Sequence, residues 1–263
     1  MQQLTVRGTQ LAVLVLWLVS WEFVPQIGNL KDTTKFLDPF FISSPSRIAH
    51  RLGDLLTGSN GSVALWPFVW PTVSAAVIGL VLGVVSGALV GLILSSSRFL
   101  SDVFRPYLIA VNAIPRIALI PIVTILFGTT HTASVVVCWL VVFFFAFFNS
   151  YEGGRTVAPH LLQNATVMGA SRLAVMRHIR LPFCIAWTLA AVPLAATFSL
   201  LIVISNEIIT GALGMGRLLV VATATVDASS TFAIAVVMSV LGVSISGVIG
   251  LVQGRAMHWW GHG

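Results

Sequence analysis

Long apolar runs, separated by stretches that hold nearly all of the charged residues, are the feature that most constrains this chain. Crossing the hydrocarbon core of a bilayer takes about 20 predominantly apolar residues in helical form. Only 8% of the residues are charged and 57% are hydrophobic, whereas a soluble domain carries roughly 25% charged residues. The composition excludes a disordered chain, a fibrous protein and an ordinary soluble enzyme. It predicts an all-α polytopic membrane protein.

The charged residues divide the chain into six predicted transmembrane helices. These spans lie at about 11–27, 72–94, 107–127, 133–148, 182–205 and 231–252. We interpret the first as a retained span, because residues 25–28 supply no small-residue cleavage site of the kind that follows a signal peptide. Between residues 46 and 56, apolar side chains recur at helical spacing, which predicts a short helix on the membrane surface. The whole of 1–263 is predicted to form a single transmembrane domain.

The basic residues indicate how this domain is oriented. Six spans place both termini on one side, and that side carries eight Lys and Arg residues against five on the other, with Arg116 left aside inside the third span. Basic residues are retained on the cytoplasmic face, so both termini and the long loop after the fourth span are expected there, in the inner or plasma membrane. The basic residues are scattered, which argues against nucleic acid as a partner and leaves membrane lipid as the expected one.

Four glycines line one face of the predicted second span. Gly79, Gly83, Gly87 and Gly91 recur every four residues, and small residues at this spacing let another helix approach closely within lipid. The sequence leaves two alternatives open, which are a contact between two copies of the chain and packing within one chain.

The loop at 149–180 is the longest polar segment after the first one. Helix-forming residues lie on both sides of Gly169, which predicts two short helices within 156–180 joined at that glycine. Pro182 is expected in the first turn of the fifth span, where a missing N–H costs nothing. Arginines lie on the face of the second helix opposite its apolar face. The pair of helices either transmits a push from a soluble partner or rests on anionic lipid headgroups.

The spacing of residues in this loop resembles the EAA motif of ABC importer permeases. The resemblance rests on Gln163, Asn164 and Ala165, then Gly169, then Ile179 to Pro182. The family usually has an acidic residue where this chain has Gln163 and alanine where it has Asn164. Three further stretches resemble the branch that serves nitrate, taurine and aliphatic sulfonates, namely 43–46, 113–121 with the Phe-Gly pair at 127–128, and Glu207 followed by Gly214 to Gly216.

This resemblance implies a type I importer permease fold and a non-catalytic transport subunit. It also implies two cytoplasmic ATPase subunits, an extracytoplasmic solute-binding protein and a second copy of the chain in a homodimer. The chain has no phosphate-binding loop of the G-x-x-x-x-G-K-[ST] type, so ATP and Mg are expected on the partner ATPase and no cofactor on this chain. The residues expected to couple to the ATPase are Gln163, Asn164, Ala165, Gly169, Ala170, Ser171, Arg172, Ile179, Leu181 and Pro182.

A second group of residues is expected to form the translocation pathway or its gate, namely Pro115, Arg116, Pro121, Asn206, Glu207, Gly214, Met215 and Gly216. Glu207 either hydrogen-bonds the glycine-rich loop that follows it or is simply exposed at the interface. Arg116 either gives the pathway a positive potential or extends to the headgroups. Pro115 and Pro121 permit the third span to bend.

The expected cargo is a small anion such as nitrate, taurine or another sulfonate, and a vitamin precursor or other heterocycle is the alternative. Two other functions compete with an importer. An intramembrane enzyme needs a nucleophile beside a base at membrane depth, and the sequence offers no such pair on one helical face. A passive channel leaves the long cytoplasmic loop without a purpose. Cys138 and Cys184 lie in apolar segments, so no disulfide or metal site is expected.

Overall fold

A computed structural model of the protein describes residues 2–23, 42–59, 61 and 63–256. The regular elements in this part of the chain are helical, as predicted. By contacts the chain divides into two compact units, Met1–Pro67 with Leu218–Ser239 and Phe68–Arg217 with Val240–Gly263. The single domain over 1–263 therefore stays a prediction.

In the first unit, helix α1 (Gln2–Phe23) meets the short helix α2 (Pro45–Thr57), which is the helix predicted at 46–56. The Glu22 carboxylate accepts hydrogen bonds from Ser46, at 3.0 Å from its backbone nitrogen and 2.8 Å from its hydroxyl. An acidic side chain is favourable at this position, because the first N–H groups of a helix have no partner within it. Glu22 therefore caps the N-terminus of α2.

Arg51 ties α2 to the residues that precede the last helix. Its Nε donates to the Ser230 hydroxyl at 2.7 Å, and its Nη2 lies 3.4 Å from Asp227 Oδ2. Burial raises the pKa of Asp227, but hydrogen bonds from Ser230 and the charge of Arg51 outweigh burial and leave that pKa below its usual value. Asp227 also accepts from the Ser230 backbone nitrogen at 3.0 Å, and so caps the helix that begins at Ala228.

The second unit is built around long apolar helices. Its helices are α3 (Trp66–Ser96), α4 (Arg98–Asn112), α5 (Leu119–Phe127), α6 (His131–Arg155), α7 (Pro159–Val167), α8 (Arg172–Val175), α9 (Leu181–Thr210) and parts of α10 (Met215–Ala224) and α11 (Ala228–Ala256). Its core joins α3, α5, α6 and α9 through buried side chains such as Ala76, Ile120, Val137, Val142 and Val203.

The count of membrane spans differs from the six predicted. Among the described residues, four helices are long and apolar enough to cross a bilayer, and a fifth span results if one bent pair counts as one. The predicted first span falls partly on α1, whose apolar stretch is bounded by Arg7 and Glu22, and partly on residues 24–27, outside the described residues. Helix α1 is not among the four.

The third predicted span is wrong as a continuous helix. Helix α4 ends at Asn112, a 3-10 turn follows at Arg116–Ala118, and α5 begins at Leu119, so that the two arms meet at a bend of 80°. Pro115 lies at the break, where it has no N–H to donate and disfavours helical geometry in the residue before it. Proline therefore does more than bend this segment, because it ends one helix.

The remaining spans are longer than predicted. Helix α6 continues to Arg155, so 149–155 belongs to a helix and not to the long loop. The hydrogen bond from Asn149 Nδ2 to the Phe145 carbonyl lies along this helix. Helix α9 likewise continues past Ser205 to Thr210 and includes Asn206 and Glu207. Charged residues that interrupt an apolar pattern do not end a helix, because each backbone group still finds its partner within the segment.

The glycine face of α3 packs against α6 of the same chain, which decides between the two alternatives left open by the sequence. A Cβ added at Gly79 would lie 2.6 Å from Cys138 Cβ, and one at Gly83 would lie 2.6 Å from Val142 Cβ. Real Cβ atoms do not approach so closely, so the two backbones touch only because these positions are glycine. The Trp139 indole, which donates to the Ser86 hydroxyl at 3.0 Å, adds a polar contact.

We expect Gly83→Ala to lower the apparent melting temperature of the protein in detergent, because the added methyl group also meets the Phe143 backbone nitrogen at 2.9 Å. Overpacking of this kind costs about 1–3 kcal/mol. Gly250→Ala in α11 is the matched control, since a Cβ there meets nothing within 4 Å. Equal melting temperatures for the two variants would contradict the close contact between α3 and α6.

Candidate functional site

The predicted coupling residues lie in a helical segment that runs directly into α9. Helix α7 (Pro159–Val167) is followed by Gly169, whose φ of +78° lies in the left-handed region that favours glycine. Ser171 then caps helix α8 (Arg172–Val175) by accepting a hydrogen bond from the Ala174 nitrogen at 3.2 Å. We call residues 159–180 the coupling segment.

The second short helix predicted in this segment is not a separate element. A π-helical turn at Met176–Arg180 joins α8 to α9, so Arg172–Thr210 forms one helix of 39 residues. Pro182 therefore does not begin the helix, as predicted, but lies inside it. The π turn provides the physical reason. A proline inside a helix clashes with a carbonyl group of the preceding turn and has no N–H to donate to it, and the wider π turn just before Pro182 accommodates both effects.

The tip of the coupling segment exposes apolar side chains. Val167 is 88% exposed and Met168 is 86% exposed, and both immediately precede Gly169. The ten predicted coupling residues thus divide among three places. Gln163, Asn164 and Ala165 lie on α7, Gly169, Ala170 and Ser171 form the turn, and Arg172, Ile179, Leu181 and Pro182 belong to the long helix. The backbone brings all of them into one continuous stretch next to the exposed tip.

At the other end of the same long helix, a buried carboxylate meets the start of α10. Glu207 is 1% exposed, which excludes the alternative of simple exposure at the interface and leaves the alternative of hydrogen bonding to the glycine-rich loop. Its Oε1 accepts from the Thr72 hydroxyl at 2.7 Å, and its Oε2 accepts from the Gly216 nitrogen at 2.8 Å. Thr72 in turn accepts from the Met215 nitrogen at 2.9 Å. The first two N–H groups of α10 are therefore satisfied by side chains of α3 and α9.

The glycines of this turn follow from the same geometry. A Cβ at Gly214 would collide with the Glu207 carboxyl group, and a Cβ at Gly216 would lie 2.6 Å from the Ile204 carbonyl oxygen. Met215, which lies between them, is fully buried. Glycine at positions 214 and 216 therefore allows the start of α10 to pack closely against α9. We call Thr72, Glu207 and Gly214–Gly216 the Glu207 cluster.

Sequence reasoning identified Glu207 and the glycines but missed Thr72, which lies 135 residues away in the chain. Nothing in a threonine within an apolar run signals such a partner. It also missed Ser134, whose hydroxyl accepts from Asn206 Nδ2 at 2.9 Å. Asn206 is fully buried, so this second polar pair holds α9 to α6 beside the Glu207 cluster.

The other predicted pathway residues lie at the break between α4 and α5. Pro115 precedes the 3-10 turn, Arg116 is its first residue, and Pro121 lies in the first turn of α5. Arg116 is partly exposed. The described contacts do not join these three residues to the Glu207 cluster, so the predicted pathway residues fall into two groups.

The structure brings together one hydroxyl group and one imidazole that do not share a helical face. The Ser74 hydroxyl lies 2.9 Å from His131 Nε2, where α3 passes the start of α6. These two residues could not be paired from the sequence because they lie on different helices. The hydrogen bond joins the two helices that also share the glycine contact.

Comparison with known proteins identifies the family to which the chain belongs. The family model described as the inner membrane component of binding-protein-dependent transport systems matches residues 79–258. The chain belongs to this family. It is a permease subunit of an ABC importer, a transport subunit without catalytic activity, and the family works with ATPase and binding-protein partners.

Individual relatives of this permease differ in the cargo that their names give. It is 26% identical over 246 residues to the riboflavin transport system permease protein RibX of Chloroflexus aurantiacus, covering 94% of this chain and 88% of RibX. It is 21% identical over 211 residues to the taurine transport system permease protein TauC of Escherichia coli, covering 76% of each. Its fold matches the inward-facing MetNI methionine ABC transporter with a TM-score of 0.62 at 19% identity, covering 72% of this chain and 94% of that one.

These comparisons confirm two predictions, membership of the importer permease family and an all-α membrane fold of the type I importer class. They also show a non-catalytic transport subunit, in place of the alternative of an intramembrane enzyme. A multi-pass protein of the inner membrane is consistent with the family and with the long apolar helices. The side on which each terminus lies stays a prediction.

We expect Thr72→Val to lower the apparent melting temperature of the permease in detergent, because the change keeps the shape of the side chain but removes a hydroxyl that serves Glu207 and the Met215 nitrogen. Leaving buried polar groups unpaired costs about 1–3 kcal/mol for each group. Thr197→Val in α9 is the control, because the exposed Thr197 bonds within its own helix. A Thr72→Val protein that melts with the control would show that the Glu207 cluster does not hold α10 in place.

Proposed function

We propose that this permease imports a small heterocyclic solute of the vitamin or vitamin-precursor class, delivered by an extracytoplasmic binding protein. Similarity to a riboflavin permease over 94% of the chain supports this cargo. The proposed assembly contains two copies of the permease and two ATPase subunits, with both termini of the chain in the cytoplasm. ATP-driven closure of the ATPases moves the two coupling segments and switches the permease between inward-facing and outward-facing states.

The exposed tip of the coupling segment supports its contact with the ATPase. Exposed apolar patches that are rimmed by polar residues mark interaction sites. Val167 and Met168 are two adjacent exposed apolar side chains of this kind, and they lie at the turn that precedes Arg172. The left-handed turn at Gly169 directs the chain from α7 into α8, so it sets the angle at which the tip is presented.

The long helix Arg172–Thr210 supports a mechanical role for the coupling segment. Its 39 residues span roughly 58 Å at 1.5 Å per residue. One end belongs to the coupling segment, and Glu207 lies near the other end, where it holds the start of α10. A displacement of the segment by the ATPase is thus carried along a single helix to the Glu207 cluster, which we propose as part of the gate on the opposite side of the membrane.

We expect Gly169→Val to reduce ATP-dependent uptake about tenfold in proteoliposomes that contain the ATPase and the binding protein. A residue with a Cβ costs roughly 1–2 kcal/mol in the left-handed region, and a β-branched residue is especially disfavoured there. Gly169→Asn is the matched variant, because asparagine tolerates this region and a Cβ at this position meets nothing within 4 Å. It should keep most of the uptake. Full uptake by Gly169→Val would overturn the coupling assignment.

A second candidate cargo, a small anion such as taurine, nitrate or another sulfonate, is favoured by two observations. The chain is 21% identical to a taurine permease, and Arg116 lies in the turn at the break between α4 and α5. An anion passing this break would be attracted by the guanidinium group, whereas an uncharged heterocycle would not. The two cargo classes therefore differ in how they depend on Arg116.

We expect Arg116→Gln to leave uptake of a labelled uncharged heterocycle such as riboflavin unchanged within about twofold, because such a cargo needs no counter-charge. Thermal-shift screening of the partner binding protein identifies the ligand class first, since a ligand of the folded state raises the melting temperature. Arg105→Gln serves as a control for the loss of an exposed arginine. A binding protein stabilised by taurine alone, with uptake lost in Arg116→Gln and kept in Arg105→Gln, would support the anion instead.

A further inference from the structure

A polar cavity of about 420 Å³ lies where two long helices end beside the π turn of a third. Its polar lining comes from Ser95, Ser97, Ser101, Asp102, Arg155 and Arg180. A second cavity of about 680 Å³ adjoins it, since both are lined by Ser97, Leu162 and Arg180, and the second also includes Arg172. The cavities lie between the coupling segment and the ends of the long helices.

Hydrogen bonds hold two guanidinium groups at this cavity. Arg155 Nη1 donates to the Tyr151 hydroxyl at 2.8 Å and to the Ser101 hydroxyl at 3.4 Å, while Tyr151 and Ser101 also bond each other. Arg180 Nη1 donates to the Ser95 carbonyl. A guanidinium group has five N–H donors in a planar arrangement that suits phosphate. These contacts hold both guanidinium groups at the cavity.

The charge of the cavity favours an anion. Two guanidinium groups and one carboxylate, that of Asp102, line this cavity. Arg172 in the adjoining cavity adds a third positive charge. The three serines supply hydroxyl groups. The side chain of Arg155 is exposed, so a ligand reaches it from outside the protein. Arginines and hydroxyl groups around one cavity are a donor set typical of a phosphate site.

The position of the cavity along the helices indicates which phosphate it meets. Helix α3 ends at Ser96 and α6 ends at Arg155, while Arg180 lies in the π turn of the helix Arg172–Thr210. Because membrane spans end near the lipid headgroups, we place the cavity at that level, on the face that the distribution of basic residues predicts to be cytoplasmic. Basic pockets between spans on that face bind the headgroups of anionic lipids.

We propose that this cavity binds the phosphate of an anionic phospholipid, with Arg155 and Arg180 as its charged donors. Pro159 and Leu162 of α7 line the same cavity, so the bound headgroup bridges the coupling segment to the ends of the spans. The lipid therefore stabilises the segment that we propose as the ATPase contact. Binding itself depends on neither the cargo nor the ATPase, so the lipid site and the proposed function fail or succeed separately.

The test measures the melting temperature of the full-length permease in phosphatidylcholine nanodiscs, with and without phosphatidylglycerol. We expect phosphatidylglycerol to raise the melting temperature of the wild type, because a ligand that binds the folded state stabilises it. Arg155→Gln should lose most of this rise and bind the lipid about tenfold more weakly, as loss of a charge-assisted hydrogen bond predicts. Arg155→Lys should keep more of the rise than Arg155→Gln, since it retains the charge.

Arg105→Gln is the matched control, because Arg105 is exposed on α4 and does not line the cavity. It should show the full rise in phosphatidylglycerol. The melting temperature of each variant in phosphatidylcholine alone reports whether it folds, and native mass spectrometry counts the retained phosphatidylglycerol. An equal rise in all variants would overturn the proposal in favour of a general surface effect. The same rise from inorganic phosphate alone would overturn the lipid and leave a site for free anions.

Discussion

Inside a membrane, every backbone N–H and C=O group must find its partner within the protein, and this constraint governs the structure more than any other. Long helices satisfy this constraint along their length, but the backbone groups at helix starts, ends and breaks need hydrogen-bond partners from other parts of the chain. At the start of α10 these partners are Thr72 and Glu207, which accept from the N–H groups of Met215 and Gly216. A buried carboxylate is costly unless it is hydrogen-bonded, and here it is bonded to the groups that most need an acceptor.

The same constraint explains how the chain treats its prolines. At Pro115 one helix ends and a 3-10 turn follows, whereas at Pro182 the helix continues because a π turn absorbs the missing hydrogen bond. The continuation at Pro182 joins α8, the π turn and α9 into one helix from Arg172 to Thr210, with part of the coupling segment at one end and Glu207 near the other.

Close packing between helices holds the long helix Arg172–Thr210 in place. Glycines bring α3 into backbone contact with α6, and α6 in turn packs along α9, where Ser134 and Asn206 form a buried pair. Thr72 belongs to α3, so the glycine contact also determines where one partner of Glu207 lies. The cavity at the opposite end of these helices follows from the same arrangement, because the ends of α3 and α6 bring Ser95 and Arg155 next to Arg180 in the π turn.

The sequence by itself determined the class of fold, the family and the locations of most of the helices, because apolar runs and the spacing around Gly169 are local patterns that need no partner to be read. It also identified Glu207 and its glycines as a group. It did not predict the break at Pro115, the continuation of α6 through Glu152 or the helix through Pro182, since the same residues allow a helix to end, bend or continue. Only the tertiary structure decided that the glycine face of α3 meets its own chain, that Thr72 serves Glu207 and that Ser74 meets His131. Each of these contacts joins residues that are far apart in the chain. The type of a residue does not reveal which distant residue folding brings next to it.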